Sequence, residues 1–375
     1  MSTRREFLKD AATTTAGLCF TGCGLAAYAF GAQQPAIRTR RREVAIGGRR
    51  VRTVDVHCHC YIRDVWDLIK DHPQAKSLQG VLDTPDGKNL NIENLSYRLQ
   101  QMDEQGIDIQ AVSLGTTYLY LWAEEDLARE VMKVQNEKIA ALCAAHPDRF
   151  VGMAGISLQH PDLAARQLEE CTKKLGMRGC MVAANVNGEE LASPRFHPFW
   201  AKAEELGTLV FIHPSGVPEA DRRFQGKGRL GNVIGNPLDT TIALSHLIFE
   251  GTLDRFPGIK ICAAHAGGFL GSYVGRSDHC FEVDSACKSI QKRPSDYLRQ
   301  LYFDSVVFNP EAIRHVVAQV GDGHLVLGTD FPYIMGDPNA VDVVLGTPGL
   351  KDSEKAAILG GTLAKLLGIA SPSQK

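Results

Sequence analysis

Residues 51–59 read Val51-Arg52-Thr53-Val54-Asp55-Val56-His57-Cys58-His59. The run is rich in β-branched residues and reads as a strand, on which successive side chains alternate between faces. His57 and His59 therefore point the same way. On the inner face of a closed sheet, two such imidazoles can share one cation. Cys58 and Cys60 fall on the other face, where they read as small buried apolar groups.

Three more apolar runs end on side chains of the same kind. Val210-Phe211-Ile212 closes on His213, Ile259 through Ala264 on His265, and Leu325 through Thr329 on Asp330. Working outward from these four, the chain alternates short β-rich runs with helical patterns. Strands are expected at 51–57, 107–114, 150–156, 177–184, 208–213, 260–265, 301–305 and 324–330. Helices are expected at 125–145, 162–175, 198–206 and 240–256. Eight strands, each followed by helix, predict an α/β fold, a (β/α)8 barrel over residues 42–370 with right-handed crossovers. Such barrels build their sites at the C-terminal ends of the strands, so His57, His59, His213, His265 and Asp330 should meet on one rim. Three imidazoles and a carboxylate suit one divalent ion, with Zn2+ the expected metal. Residues 61–94, with Pro73, Gly80, Pro85 and Gly87, form a long insertion after the first strand and are expected to act as a lid.

The whole chain has 375 residues, is 44% hydrophobic and 22% charged, and carries a formal net charge of -2. That composition supports a large core and excludes a disordered or collagen-like chain. With no excess of positive charge, the chain is not expected to have a nucleic-acid partner. Ten Cys in this length are too few for a disulfide scaffold, and their pairing stays open. No nucleotide-binding loop or Gly-x-Ser-x-Gly elbow occurs.

The first residues read as an address. Arg4-Arg5 with Phe7-Leu8-Lys9, then an uncharged stretch to about Phe30 ending near Ala27-Tyr28-Ala29, resemble a twin-arginine export signal over residues 1–32. The expected location is periplasmic or otherwise extracytoplasmic. Phe20-Thr21-Gly22-Cys23 also resembles a lipidation site at Cys23. Membrane contact is expected only through these features.

The blocks Tyr97-Arg98-Leu99, Met102-Asp103, Pro237 to Thr241, Val274-Gly275-Arg276, Phe303-Asp304-Ser305, Phe308-Asn309-Pro310 and Gly328-Thr329-Asp330-Phe331-Pro332 resemble the amidohydrolase-2 group of the amidohydrolase superfamily. Within it, the aminocarboxymuconate semialdehyde and resorcylate-type decarboxylases are the nearest likeness, over about residues 51–369. The resemblance implies metal ligation by His57, His59, His213 and Asp330, with His265 as catalytic base and Asp330 also moving protons. It implies one metal, because the fourth strand, 177–184, lacks the Lys that two-metal relatives carboxylate. It implies a homodimer in which Arg276 reaches a substrate carboxylate across the interface. Two departures concern the substrate end. The Arg that those enzymes carry in the first insertion has no match between Tyr61 and Asn94, and Ser215 follows Pro214 where they place Trp.

The resemblance implies non-oxidative decarboxylation of an unsaturated or aromatic carboxylic acid, using a metal-bound water and a His base. Hydrolysis of an ester, lactone or amide could use the same five residues. An exported metal-loaded binding protein without turnover is a third possibility, disfavoured by the intact His265.

Overall fold

In the computed structural model, residues 41–370 are described; the expected export signal at 1–32 and the expected lipidation site at Cys23 lie outside them. Eight parallel strands form one sheet: β1 Val54–Cys60, β2 Ile109–Leu114, β3 Phe150–Gly155, β4 Gly179–Ala183, β5 Leu209–His213, β6 Lys260–Ala263, β7 Tyr302–Asp304 and β8 Leu325–Val326. Each strand pairs with the next in chain order. The first and last strands then meet. Val56 N–H donates to Leu327 O at 2.9 Å, Asp330 N–H to His57 O at 2.7 Å, and His59 N–H to Phe331 O at 2.7 Å. The sheet is therefore a nearly closed barrel.

The strands are apolar on both faces because helices cover the outside and side chains fill the inside. All seven residues of β1 and all five of β5 are buried. The major helices are α1 Leu95–Gln105, α2 Glu125–Ala145, α3 Pro161–Lys173, α4 His197–Leu206, α5 Asn236–Phe249, α6 Leu270–Val283 and α7 Pro310–Val320. They alternate with the strands as expected. None of the described helices is long and apolar enough to cross a membrane.

Three expectations are corrected. β1 begins and ends three residues later than the pattern at 51–57 suggested, so both histidines lie inside it. The helix expected over 240–256 is two pieces, because Gly251 adopts φ 75 and stops α5 before a short turn at Thr252–Arg255. The sixth and eighth strands end early. His265 and Asp330 sit beyond them in left-handed conformations, with φ of 53 and 57.

The insertion at 61–94 is a string of short helices whose ends are stitched together by the Tyr61–Asn91 bridge. It leans on α2 through Lys138–Asp64 at 2.8 Å, and His72 stacks on Trp122 with ring centroids 4.0 Å apart. Among the described residues, those lining the cleft over the metal-facing side chains come from other loops. The expected lid is thus a folded side lobe whose covering role the structure does not show.

Candidate metal centre

β1 supplies His57 and His59, β5 ends on His213, and the turn after β8 supplies Asp330. One ligand atom from each of these four buried residues lies within 4.8 Å of all the others. Asp330 Oδ1 is 3.1 Å from His57 Nε2 and 3.3 Å from His59 Nε2.

The outer ring nitrogens are already committed. His59 Nδ1–H donates to Leu114 O at 3.0 Å and His213 Nδ1–H to Pro214 O at 2.8 Å. His57 Nδ1 meets Asp304 Oδ2 at 2.5 Å. A carbonyl can only accept, so these bonds leave the Nε2 lone pairs of His59 and His213 facing inward. His57 Nε2, His59 Nε2 and Asp330 Oδ1 are buried without a hydrogen bond. Buried polar atoms without partners are costly, and one divalent ion would satisfy the group together. The donor set fits a divalent metal.

The charge balance agrees. Burial alone would lower the pKa of His57, but the carboxylates of Asp330 and Asp304 outweigh it and push it up to about 10. Burial would raise Asp330, yet the charge of His57 and the close imidazoles of His265 and His59 hold it well below the carboxylate range. His59 and His213 are both lowered, chiefly by burial; for His213 the neighbouring imidazoles add to it. Two neutral imidazoles beside two ionised carboxylates form a pocket that favours positive charge.

His265 stands next to this group without belonging to the tight set. Its Nε2 is 3.8 Å from Asp330 Oδ2, and its Nδ1 is buried without a partner. Its ring lies 5.1 Å from that of His57. All five rim residues expected from the strand ends therefore come together.

Arg276 does not join them. It is exposed on α6 and is absent from the cleft lining. Cys58 and Cys60 are buried away from the ligand set, as the alternation predicts.

Three carboxylates that position the site escaped the sequence reading. Asp304 holds His57 with one oxygen and accepts from Ala266 N and Val306 N, both at 3.1 Å, with the other. Asp55 accepts from Thr329 Oγ1 at 2.6 Å, Thr329 N at 3.1 Å and His57 N at 3.0 Å, fastening β1 to the segment that carries Asp330. Burial raises its carboxyl to about 6 against those bonds. Asp239 accepts from Ser215 N at 2.7 Å and Gly216 N at 3.0 Å, fixing the turn after His213. A carboxylate inside an apolar strand, as at Asp55 and Asp304, was the available signal.

Above the ligands lies a cleft of about 300 Å³, bounded by Thr116, Thr117, Pro214, Ser215, Arg229, Asn232, Asn236, and Tyr333 to Met335. That space suits a single-ring molecule.

A family model described as "Amidohydrolase" matches residues 54–369. The chain is 30% identical over 311 residues to the 2-amino-3-carboxymuconate-6-semialdehyde decarboxylase of Dictyostelium discoideum, covering 81% of this chain and 85% of that one. In fold it is similar to the 5-carboxyvanillate decarboxylase of Sphingomonas paucimobilis, with a TM-score of 0.77 at 24% identity, covering 85% of this chain and 100% of that one. It is also similar to a dihydroxybenzoic acid decarboxylase of Polaromonas solved with bound manganese, with a TM-score of 0.73 at 23% identity, covering 85% and 97%.

Proposed function

Since the chain belongs to the amidohydrolase family matched over residues 54–369, we propose that it is a metal-dependent, non-oxidative decarboxylase of a small aromatic or unsaturated carboxylic acid. The observation that carries this reading is the convergence of three histidines and Asp330 on one point, with His265 beside Asp330 under a ring-sized cleft. The 2-amino-3-carboxymuconate-6-semialdehyde decarboxylase likeness supports the reaction class.

His57, His59, His213 and Asp330 would hold one divalent ion, with zinc the expected species from the imidazole-rich donor set. When bound, such an ion polarises a substrate oxygen and draws off negative charge. The protein's own residues do the rest. His265 and Asp330 form a proton pair, 3.8 Å apart, able to deliver a proton to the carbon that loses its carboxylate. The carbon–carboxylate bond breaks, its electron pair stays on that carbon and takes the proton, and CO2 leaves.

The test is metal analysis of purified protein together with CO2 release from hydroxybenzoic and muconate-like acids. About one ion per chain, lost in His57→Ala, with CO2 evolved, is the expected result. Metal without CO2 from any such acid would overturn the reaction and return hydrolysis to first place. The same analysis separates zinc from manganese.

The protein is further proposed to be exported through the twin-arginine route to the periplasm. Arg4-Arg5 and the stretch to residue 32 support this, as does the Cys280–Cys287 disulfide, which fits an oxidising compartment. Replacing both arginines with lysine should leave the protein in the cytoplasm; unchanged export would remove the proposal. Lipidation at Cys23 remains a proposal that intact-mass measurement of the exported protein decides. A homodimer is proposed as well, because Arg276 is exposed and can reach substrate only in another copy's cleft. Light scattering on the purified protein tests it: a monomeric mass would remove both the dimer and that role.

A further inference from the structure

The cleft over the metal ligands contains one Lys or Arg among its described lining residues, Arg229. Its guanidinium makes no hydrogen bond or ion pair with any described residue and is free to meet a ligand. Its backbone is unusual too. Arg229 adopts φ 49, in the left-handed region that side chains other than glycine rarely occupy, between Gly228 at φ 92 and the turn that Arg229 O begins by accepting from Asn232 N at 2.8 Å and Val233 N at 3.0 Å. Glycine would fit there without strain. A chain that instead keeps a long cation in a costly conformation at the lip of a site is the kind of outlier from which a functional role can be argued.

We infer that Arg229 is a substrate-binding residue, supplied by the same chain as the metal ligands, that grips a second anionic group of the substrate. The substrate class is then a dicarboxylic acid, or an equivalent ring bearing two anions. The inference rests on the decarboxylase reading and narrows it.

The placement of charge decides which carboxylate Arg229 takes. His213 and Asp330 on the floor are 7% and 5% exposed, whereas Arg229 is exposed at the mouth. During decarboxylation the negative charge of the leaving carboxylate moves onto the ring carbon. A cation clamped on that carboxylate would stabilise the ground state more than the transition state and slow the reaction. The leaving group therefore belongs on the dry floor, and the fork of Arg229 belongs on an anion that stays charged throughout. Ser215, in the position where the related decarboxylases are expected to carry Trp, leaves the mouth open for that group.

The test compares salicylate with 4-hydroxyisophthalate, which is salicylate bearing a second ring carboxylate, on metal-loaded wild type, R229Q, R229K, R229G and R276Q. Calorimetric binding is read beside CO2 release. For wild type, 4-hydroxyisophthalate should bind more tightly than salicylate. In R229Q that preference should fall about tenfold or more, mainly through KM, as expected for losing a charged hydrogen bond. R229K should keep part of it. R229G separates strain from binding: thermal stability should hold or rise while the preference disappears. An equal preference in wild type and R229Q overturns the inference, as does its collapse in R276Q alone, which would put the grip in a partner copy. If neither acid releases CO2 the decarboxylase reading fails, but the binding arm still decides Arg229: unchanged diacid affinity in R229Q sinks it, and a tenfold loss sustains it.

Discussion

His57 is the residue on which most of the site turns, because Asp304 holds its outer ring nitrogen and leaves the inner one facing the other ligand atoms. Asp304 orients the ring from behind, so Asp304→Asn should leave the barrel folded but weaken metal binding by about tenfold to a hundredfold, measured by competition with a chromogenic chelator. Unaltered affinity would show that the ring is held by packing alone. The proton on His57 also gives the metal-free protein a pH signature. Its pKa in the fold is raised to about 10, against an unfolded value near 6.5, so its contribution to stability is complete below about 6.5 and is lost as pH rises through about 10. Metal-free protein should therefore unfold more readily at high pH than at neutral pH, and metal uptake near neutrality should release about one proton per ion. Calorimetry in buffers of different ionisation enthalpy counts that proton. His57 and His59 were legible because alternation puts them on one strand face, and His213, His265 and Asp330 because each closes an apolar run. Asp304 and Asp55 were not, since a carboxylate that serves a neighbouring strand leaves no period of its own in the sequence.

At the level of elements, β8 is the weakest signal and the most constrained segment. Only Leu325–Val326 pair as strand, although the apolar run continues to Leu327 and the functional Asp330 comes later still. Gly328 explains why the chain can pass so close. A Cβ there would stand 2.9 Å from Asp304 Cβ and 3.0 Å from His57 Cβ. Gly328→Ala should cost about 1–3 kcal/mol in urea unfolding, the usual range for overpacking a filled core, and should lower metal affinity as well. Wild-type stability in that variant would mean the segment yields more easily than its contacts suggest. Strand and helix order were readable across the barrel because each β-rich run and each 3.6-residue pattern is long enough to show its period. The insertion at 61–94 was readable only as an interruption: its helices are each a turn or two, and its direction is set by the Tyr61–Asn91 bridge, a contact between residues thirty apart.

For the whole molecule, the disulfide between Cys280 and Cys287 ties the end of α6 to the turn that follows, on the helix that carries Arg276. Reductant should lower the melting temperature of wild type but leave a C280S/C287S variant unmoved, and metal content should be the same in both. Equal melting with and without reductant would show that the cross-link is absent in the purified protein. A second feature of the molecule has a mechanical meaning. The ring of strands is joined by only a few backbone bonds where first meets last, and two of those bonds belong to His59 and Asp330, which are also candidate ligands. An ion bound there would therefore act as a rivet across the joint. Without it, amide exchange at His59 and Asp330 should be among the fastest in the barrel, and the fully locked cylinder should form only in cells that have metal to spare when the chain folds.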